Sequence, residues 1–354
     1  MRKVERIDPK TVDALHLRDA LAAALDGGPA VSLSPIGNVQ IPESIALVLE
    51  TGGSTGNPKL VGLSANAMRA SSSLSNQALG ARAGDHWALS LPLHHIAGIN
   101  QLLRSIDLDT DPVSHGGEFI SVVPTQLYRA LQKSDAALET LKSAKKVLIG
   151  GAAVPSQLLH AGRAAGIPLV TSYGMTEMCG GCVYDGAALP GVSIRITPEG
   201  QIALKGPMRA EGYLNNEEDN MKSFIDGWFI SSDEGFIDSH GLLHVVGRTD
   251  DVIISGGEKI STSAVAEVLR TAYPSMEIHV LALPDEQWGQ ALRVVIATTA
   301  QPAITLPVIR NLVAQSLGKV AAPRSLLLLS EMPMKENGKI DNQQLIAAHA
   351  TEEI

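Results

Sequence analysis

The apolar run Ile45-Ala46-Leu47-Val48-Leu49 and the segment that follows it, TGGSTGNPK (Thr51 to Lys59), constrain this chain more than any other stretch. A continuous apolar run of strand length reads as a buried strand. The nine residues after it hold three glycines, three hydroxyls, a proline and a lysine. Glycines let backbone N–H groups approach an anion closely and adopt positive φ. Hydroxyls add donors, and Lys59 adds a point charge. Such a loop can wrap a polyphosphate. It is not the GxxxxGK[ST] loop of the P-loop NTPases, because Lys59 follows Pro58 and precedes Leu60. Taken alone, a Gly/Ser turn is the commoner meaning of such a segment.

The rest of the chain narrows the choice. Strand-like segments at Lys146–Ile149 and Pro168–Ser172 alternate with helical ones at about 10–25, 64–79, 126–141 and 155–165. His86–Leu93 also reads as a strand, ending at Pro92. That rhythm predicts an α/β domain with ligand loops at the C-terminal ends of its strands. From Val192 onward, short alternating segments separated by turn residues predict a β-rich region. After GRTDD (Gly247 to Asp251) a mixed pattern returns, with helices at Ser263–Thr271 and Leu306–Leu317 between strands. It predicts a small α+β domain of about 100 residues. The fold class expected is therefore α/β: a large N-terminal domain of mixed sheets with a β-rich subdomain, and a small C-terminal α+β lid.

At 354 residues the chain suits two domains, and its formal charge of −9 argues against nucleic acid or an anionic membrane as the main partner. The start, MRKVERIDPK, has no apolar core of a signal peptide, and no run reaches the roughly 18 apolar residues of a membrane span. The two cysteines, Cys179 and Cys182, are spaced CxxC with no second pair. We read them as small apolar residues of a pocket or loop rather than as a redox or zinc pair, in a reducing, cytoplasmic compartment.

Seven segments, in order, resemble the motifs of the adenylate-forming acyl- and aryl-CoA ligases, the superfamily that includes peptide-synthetase adenylation domains. They are TGGSTGNPK, PLHHIAG (Pro92 to Gly98), IGGAAVP (Ile149 to Pro155), SYGMTE (Ser172 to Glu177), GWFISSDEG (Gly227 to Gly235), GRTDDVIISGGEKIS (Gly247 to Ser261) and ENGKI (Glu336 to Ile340). The likeness runs from about Leu47 to the end. One such match could be chance; seven in sequence order are not.

The resemblance implies a two-step reaction using ATP, Mg²⁺ and CoA. A carboxylate attacks the α-phosphate and expels pyrophosphate; the CoA thiol then attacks the acyl-adenylate and AMP leaves. Bringing two anions together calls for cations where charge develops. By the same resemblance Thr51, Ser54, Thr55, Gly56 and Lys59 hold the outer phosphates. Gly151, Ala152, Ser172, Tyr173 and Gly174 belong to the ATP/AMP site, with Tyr173 stacking on adenine. Thr176 meets the α-phosphate, Glu177 holds Mg²⁺, and Asp233 with Arg248 takes the ribose. Lys339 bridges carboxylate and phosphate as the catalytic lysine, with His95, Thr176 and Glu177 the other catalytic positions. His95, Gly151, Gly180 and Gly181 face the acyl group, where the two adjacent glycines leave room for an aromatic ring. Gly256, Gly257, Glu258 and Lys259 line the path of the pantetheine thiol.

Asp250 matches the hinge, dividing an N-terminal domain, 1–249, from a lid, 250–354. Within the superfamily, SVVPTQLYRAL, GGCVYDG, LPGV and ALKGPMRAEGYL resemble the o-succinylbenzoate–CoA ligases of menaquinone biosynthesis, particularly short, actinobacterial-looking ones. That likeness implies a small aromatic carboxylic acid as substrate and allows a homodimer. Another aryl or acyl ligase, or an enzyme that loads a carrier protein, shares the same motifs, and a non-catalytic nucleotide-binding homologue is a remoter reading. Two departures stand out. Thr51 is reached after only 50 residues, far fewer than the family usually has, and the stretch between Pro92 and Val122 reads as if a βα unit were missing. Ser232 also replaces the glycine that usually precedes the ribose-binding aspartate.

Overall fold

The computed structural model describes residues 1–51, 59–133, 136–248, 252–273, 276–298, 304–334 and 340–353. Two compact units result: Met1–Ser231 with Gly235–His244, and Ser232–Glu234 with Val245–Ile354. Among the described residues no helix is long and apolar enough to cross a membrane.

The first unit holds three sheets. In one, Val4–Arg6, Ala30–Ser32 and Ile45–Thr51 run parallel, and Lys59–Ser64 and Gly212–Tyr213 add antiparallel strands. Ile45 to Leu49 are buried without a break, which is why the run carries no polar alternation. The second sheet orders Phe119–Val122, Lys146–Ile149 and Leu169–Met175 in parallel, followed by antiparallel Gly180–Tyr184 and Ala187–Ala188. The third pairs Ser193–Ile196, Gln201–Lys205, Trp228–Ile237 and Phe224–Ile225 in that order. This is the β-rich region expected after Val192.

Helices Ala14–Leu25 and Ala65–Leu79 begin at side-chain caps. Asp13 accepts from the amides of Leu15 and His16, and Ser64 accepts from that of Ala67. Two sequence expectations change here, the strand over 86–93 and the single helix over 126–141, and between them lies a helix that the sequence reading did not name. His86–Leu93 forms no ladder: Trp87 and Ala88 make single bridges to Phe119 and Val113. The neighbouring segment contains Pro112 and Gly116-Gly117, which cannot supply a run of paired residues. The stretch between Pro92 and Val122 is filled by a helix, Ile96–Asp107, whose Ile99, Leu102 and Leu103 are buried. The apolar spacing of a helix was present there, but polar Asn100, Gln101, Arg104 and Ser105 are buried as well and mask it. The helix expected over 126–141 is two helices, Pro124–Lys133 and Ala136–Ser143.

The second unit is built on one sheet ordered Glu258–Ser261, Val252–Ser255, Gly289–Ala297, Ser325–Leu329 and Glu352–Glu353, with Glu277–Asp285 also paired to Gly289–Ala297. Helices Thr262–Ala272 and Leu306–Leu317 cover it through Val265, Leu269, Ile309 and Val313. Arg293, almost fully buried, donates to the carbonyls of Leu345 and Ala348 and so holds the end of the helix Asn342–Ala347. Orphan carbonyls at a helix C-terminus favour a cation.

Candidate active site

Thr51 and Lys59 stand opposite each other in the antiparallel register of Ile45–Thr51 and Lys59–Ser64. Lys59 therefore begins the strand that pairs antiparallel with the one ending at Thr51. Ser54, Thr55 and Gly56 lie outside the described residues. On the far side of Lys59–Ser64, Tyr213 registers opposite Val61. Lys59 and Val61 share a face because side chains alternate along a strand, so Tyr213 and Lys59 are diagonal neighbours. The Lys59 ammonium accordingly lies 4.8 Å from the centre of the Tyr213 ring. It also pairs with the Asp219 carboxylate at 2.8 Å. That pairing, more than the partial burial that opposes it, holds the Asp219 carboxyl below its usual range.

Thr176 and Glu177 occupy a one-turn 3₁₀ helix, Thr176–Met178, at the end of the strand Leu169–Met175. The Tyr213 hydroxyl donates to Glu177 Oε1 at 2.9 Å, and the Ala210 amide donates to the Glu177 carbonyl at 2.8 Å. Burial first, and then the negative Glu177, pushes the Tyr213 phenol far above its usual value, so it remains a donor. Lys59 and Glu177, far apart in sequence, thus meet on opposite parts of one tyrosine. Sequence reasoning singled out neither Tyr213 nor Asp219. The only signal was Glu211-Gly212-Tyr213-Leu214, a lone aromatic beside a glycine.

The turn after Glu177 is fixed from below. The Cys179 carbonyl accepts from Ser71 Oγ at 2.8 Å and from Asn100 Nδ2 at 2.9 Å, both buried. Asn100 belongs to the helix that starts at His95, so the histidine motif and the tyrosine–glutamate motif are bonded together. His94 and His95 lie side by side, ring centres 4.2 Å apart. Gly180 has φ +102°, and a Cβ there would stand 2.1 Å from Asn100 Nδ2; one at Gly181 would stand 2.2 Å from Ser172 Oγ. The space beside these two glycines is filled by Asn100 and Ser172, not left open for a ring as the sequence reading supposed. Their small size is needed for close packing. Cys179 and Cys182 are fully buried, and burial pushes both thiols up to about 12, which keeps them protonated and unreactive at neutral pH.

The parallel pairing of Lys146–Ile149 with Leu169–Met175 brings the C-terminal ends of both strands out together. Gly151 and Ala152, exposed, follow the first, and Ser172, Tyr173 and Gly174, half-buried, lie on the second. In the second unit Asp233 is buried and receives a long bond, 3.4 Å, from Arg248, whose side chain is half exposed. Gly256 and Gly257, at φ +57° and +86°, form the two-residue turn of a hairpin in which Ser255 pairs Glu258. Trp288 packs on Gly256. Lys259 pairs Ile254 through the backbone of that hairpin. Asp250 and Lys339 lie outside the described residues; the flanks of the latter, Met334 and Ile340, are bridged.

This donor set fits Mg²⁺ at a phosphate site. Mg²⁺ takes one or two carboxylates and completes its shell with phosphates and water. Glu177 is a single oriented carboxylate, and no group of three or more His, Cys, Asp or Glu forms a protein cage among the described residues.

The Glu177 carboxylate at a strand end and the Lys59 ammonium across Tyr213 from it make a site whose charges suit a metal-bound phosphate. Comparison with known proteins gives the family. The model for AMP-binding enzymes matches residues 5–106 and 110–214, and that for the AMP-binding enzyme C-terminal domain matches 265–339. A probable 2-succinylbenzoate–CoA ligase of Mycobacterium tuberculosis is 36% identical over 337 residues, spanning 88% of this chain and 87% of the relative. A 2-succinylbenzoate–CoA ligase of Listeria monocytogenes is 29% identical over 332 residues, 86% of this chain and 70% of the relative. The solved o-succinylbenzoate CoA synthetase of Bacillus subtilis, in complex with its acyl-adenylate intermediate, superposes with a TM-score of 0.77 at 24% identity, over 99% of this chain and 84% of that one. The chain belongs to the AMP-binding enzyme family, and it is an AMP-forming CoA ligase.

Proposed function

We propose that this ligase activates o-succinylbenzoate and passes it to CoA. The relatives named above that share about a third of its sequence are 2-succinylbenzoate–CoA ligases, and this supports the substrate. The observation that carries the phosphate chemistry is the meeting of Lys59 and Glu177 on Tyr213.

In the proposed first step a substrate carboxylate oxygen, placed near His95, bonds to the α-phosphorus of ATP. The bond to the bridging oxygen breaks, and pyrophosphate leaves with that electron pair. Thr51, Ser54, Thr55, Gly56 and Lys59 hold the departing phosphates, Thr176 donates to the α-phosphate, and Glu177 would hold Mg²⁺. When bound, the metal supplies positive charge against the phosphate oxygens. Gly151, Ala152, Ser172, Tyr173 and Gly174 receive the adenine. Asp233, which offers two acceptor oxygens, takes the ribose hydroxyls with Arg248 beside it. Lys339 stabilises the charge between carboxylate and phosphate.

In the second step the CoA sulfur bonds to the acyl carbon and AMP departs. Rotation about Asp250, between domains 1–249 and 250–354, brings Gly256 to Lys259 to the thiol path. The reading places the enzyme in the cytoplasm and allows a homodimer. The test is isotope exchange of pyrophosphate into ATP with a panel of aromatic acids, followed by AMP release with and without CoA. Exchange driven by o-succinylbenzoate above the other acids is expected; exchange with a different acid alone would remove the substrate assignment.

A further inference from the structure

Tyr213 touches both ends of the phosphate machinery. Its hydroxyl donates to Glu177 Oε1 at 2.9 Å, and its ring face lies 4.8 Å from the Lys59 ammonium. Lys59 is held from another side by Asp219 at 2.8 Å. The ring cannot turn away: it is buried, packs edge-on against Phe224 at 5.3 Å, and sits in a strand paired to Val61 and Gly62. Its own amide donates to Asn220 Oδ1 at 3.0 Å, tying the strand to the helix that carries Asp219. Asn215 Oδ1 accepts from the Leu60 amide at 2.8 Å, which ties the same turn to the residue after Lys59.

We propose that Tyr213 is a positioning residue shared by the phosphate lysine and the metal carboxylate, with Asp219 as its accessory on the lysine side. The hydroxyl fixes the Glu177 carboxylate. The ring and Asp219 fix where the Lys59 ammonium stands, so the spacing between the two charges is set before nucleotide arrives. Preorganised charge of this kind costs no rearrangement when the reaction begins. The inference rests on the reading of Lys59 and Glu177 given above.

The two contacts of Tyr213 can be separated. Tyr213→Phe keeps the ring under Lys59 and removes the donor to Glu177. It is expected to raise the Mg²⁺ concentration for half-maximal pyrophosphate exchange on the order of tenfold, the usual effect of losing a group that orients a metal ligand. Calorimetric affinity for ATP in EDTA stays near wild type. Asp219→Ala does the reverse: ATP affinity in EDTA shifts about threefold to tenfold, because the Lys59 ammonium loses the charge-assisted partner that sets its place, and the Mg²⁺ midpoint holds. Tyr213→Leu loses both. If Tyr213→Phe changes only thermal stability, with both the Mg²⁺ midpoint and ATP affinity unmoved, the proposal fails. If it depresses ATP affinity in EDTA as much as Tyr213→Leu does, the two contacts are not separable and the proposal also fails. Lys59→Met and Glu177→Gln check the underlying reading independently. Unchanged ATP affinity in the first and an unchanged Mg²⁺ midpoint in the second would remove the phosphate and metal roles themselves, and the positioning role with them.

Discussion

The surroundings of Glu177 and those of Asp233 show two ways of carrying a carboxylate proposed to bind ligand. Glu177 sits on a turn bonded from three directions: by Tyr213 to its side chain, by Ala210 to its carbonyl, and by Ser71 and Asn100 to the next turn. Asp233 is buried, but its bond to Arg248 is long and the guanidinium is half in water. Exposed ion pairs contribute at most about 1 kcal/mol. The Gly256–Gly257 hairpin is likewise an exposed turn. The first unit ties Lys59 and Glu177 to neighbouring side chains; in the second Asp233 is buried, while Arg248 and the Gly256–Gly257 turn are open to solvent. That fits the proposed division of labour, in which phosphate transfer needs fixed charges and the lid must move.

The largest expected effect tests the second unit. Lys339→Ala lowers pyrophosphate exchange by about a hundredfold or more, the scale of losing one donor to developing charge, with ATP binding retained. Asp250→Pro leaves exchange near wild type and slows thioester formation at least about tenfold, because rotation needs a free φ. Equal loss of both half-reactions would break the comparison. In the first unit Gly180→Ala costs about 2–3 kcal/mol by denaturant unfolding, since it joins a left-handed backbone to an overlap with Asn100. Gly257→Ala, at positive φ but in open space, costs about 1 kcal/mol. Similar costs at both glycines would mean the turn is not packed as described.

Arg248→Ala raises the KM for ATP only about twofold to fivefold, less than Asp233→Ala. The smallest effect concerns the two buried thiols. Their folded pKa, about 12 against an ordinary 9.0, favours the protonated form. Their contribution to stability is complete below pH 9 and is lost as pH rises toward 12. Denaturation midpoints should decline over that window, and neither thiol should react with iodoacetamide at pH 8 until the chain unfolds.

Much of the site was legible because its chemistry is local. TGGSTGNPK, SYGMTE and GGEK each hold the residues assigned to one role within a few consecutive positions of the sequence. Tyr213 and Asp219 were not legible. They reach Lys59 only through the pairing of Gly212–Tyr213 with Val61 and Gly62, a contact across some 150 positions. The glycines at 180 and 181 were noticed, but their purpose was misread, because nothing local shows that Asn100 and Ser172 occupy the space beside them. The helix Ile96–Asp107 was hidden by its polar residues, whose partners are distant in the chain: Asn100 bonds the Cys179 carbonyl, and Arg104 reaches Tyr184 and the Trp87 ring.

By itself the sequence determined the order of the motifs, the residue types proposed to meet phosphate, ribose and thiol, and the strand that precedes the glycine-rich segment. These follow from residue chemistry and short spacings. Only the tertiary structure decided that Thr51 and Lys59 face each other on antiparallel strands and that Lys59 and Glu177 share one tyrosine. Strand register and burial, which depend on partners far along the chain, made that choice.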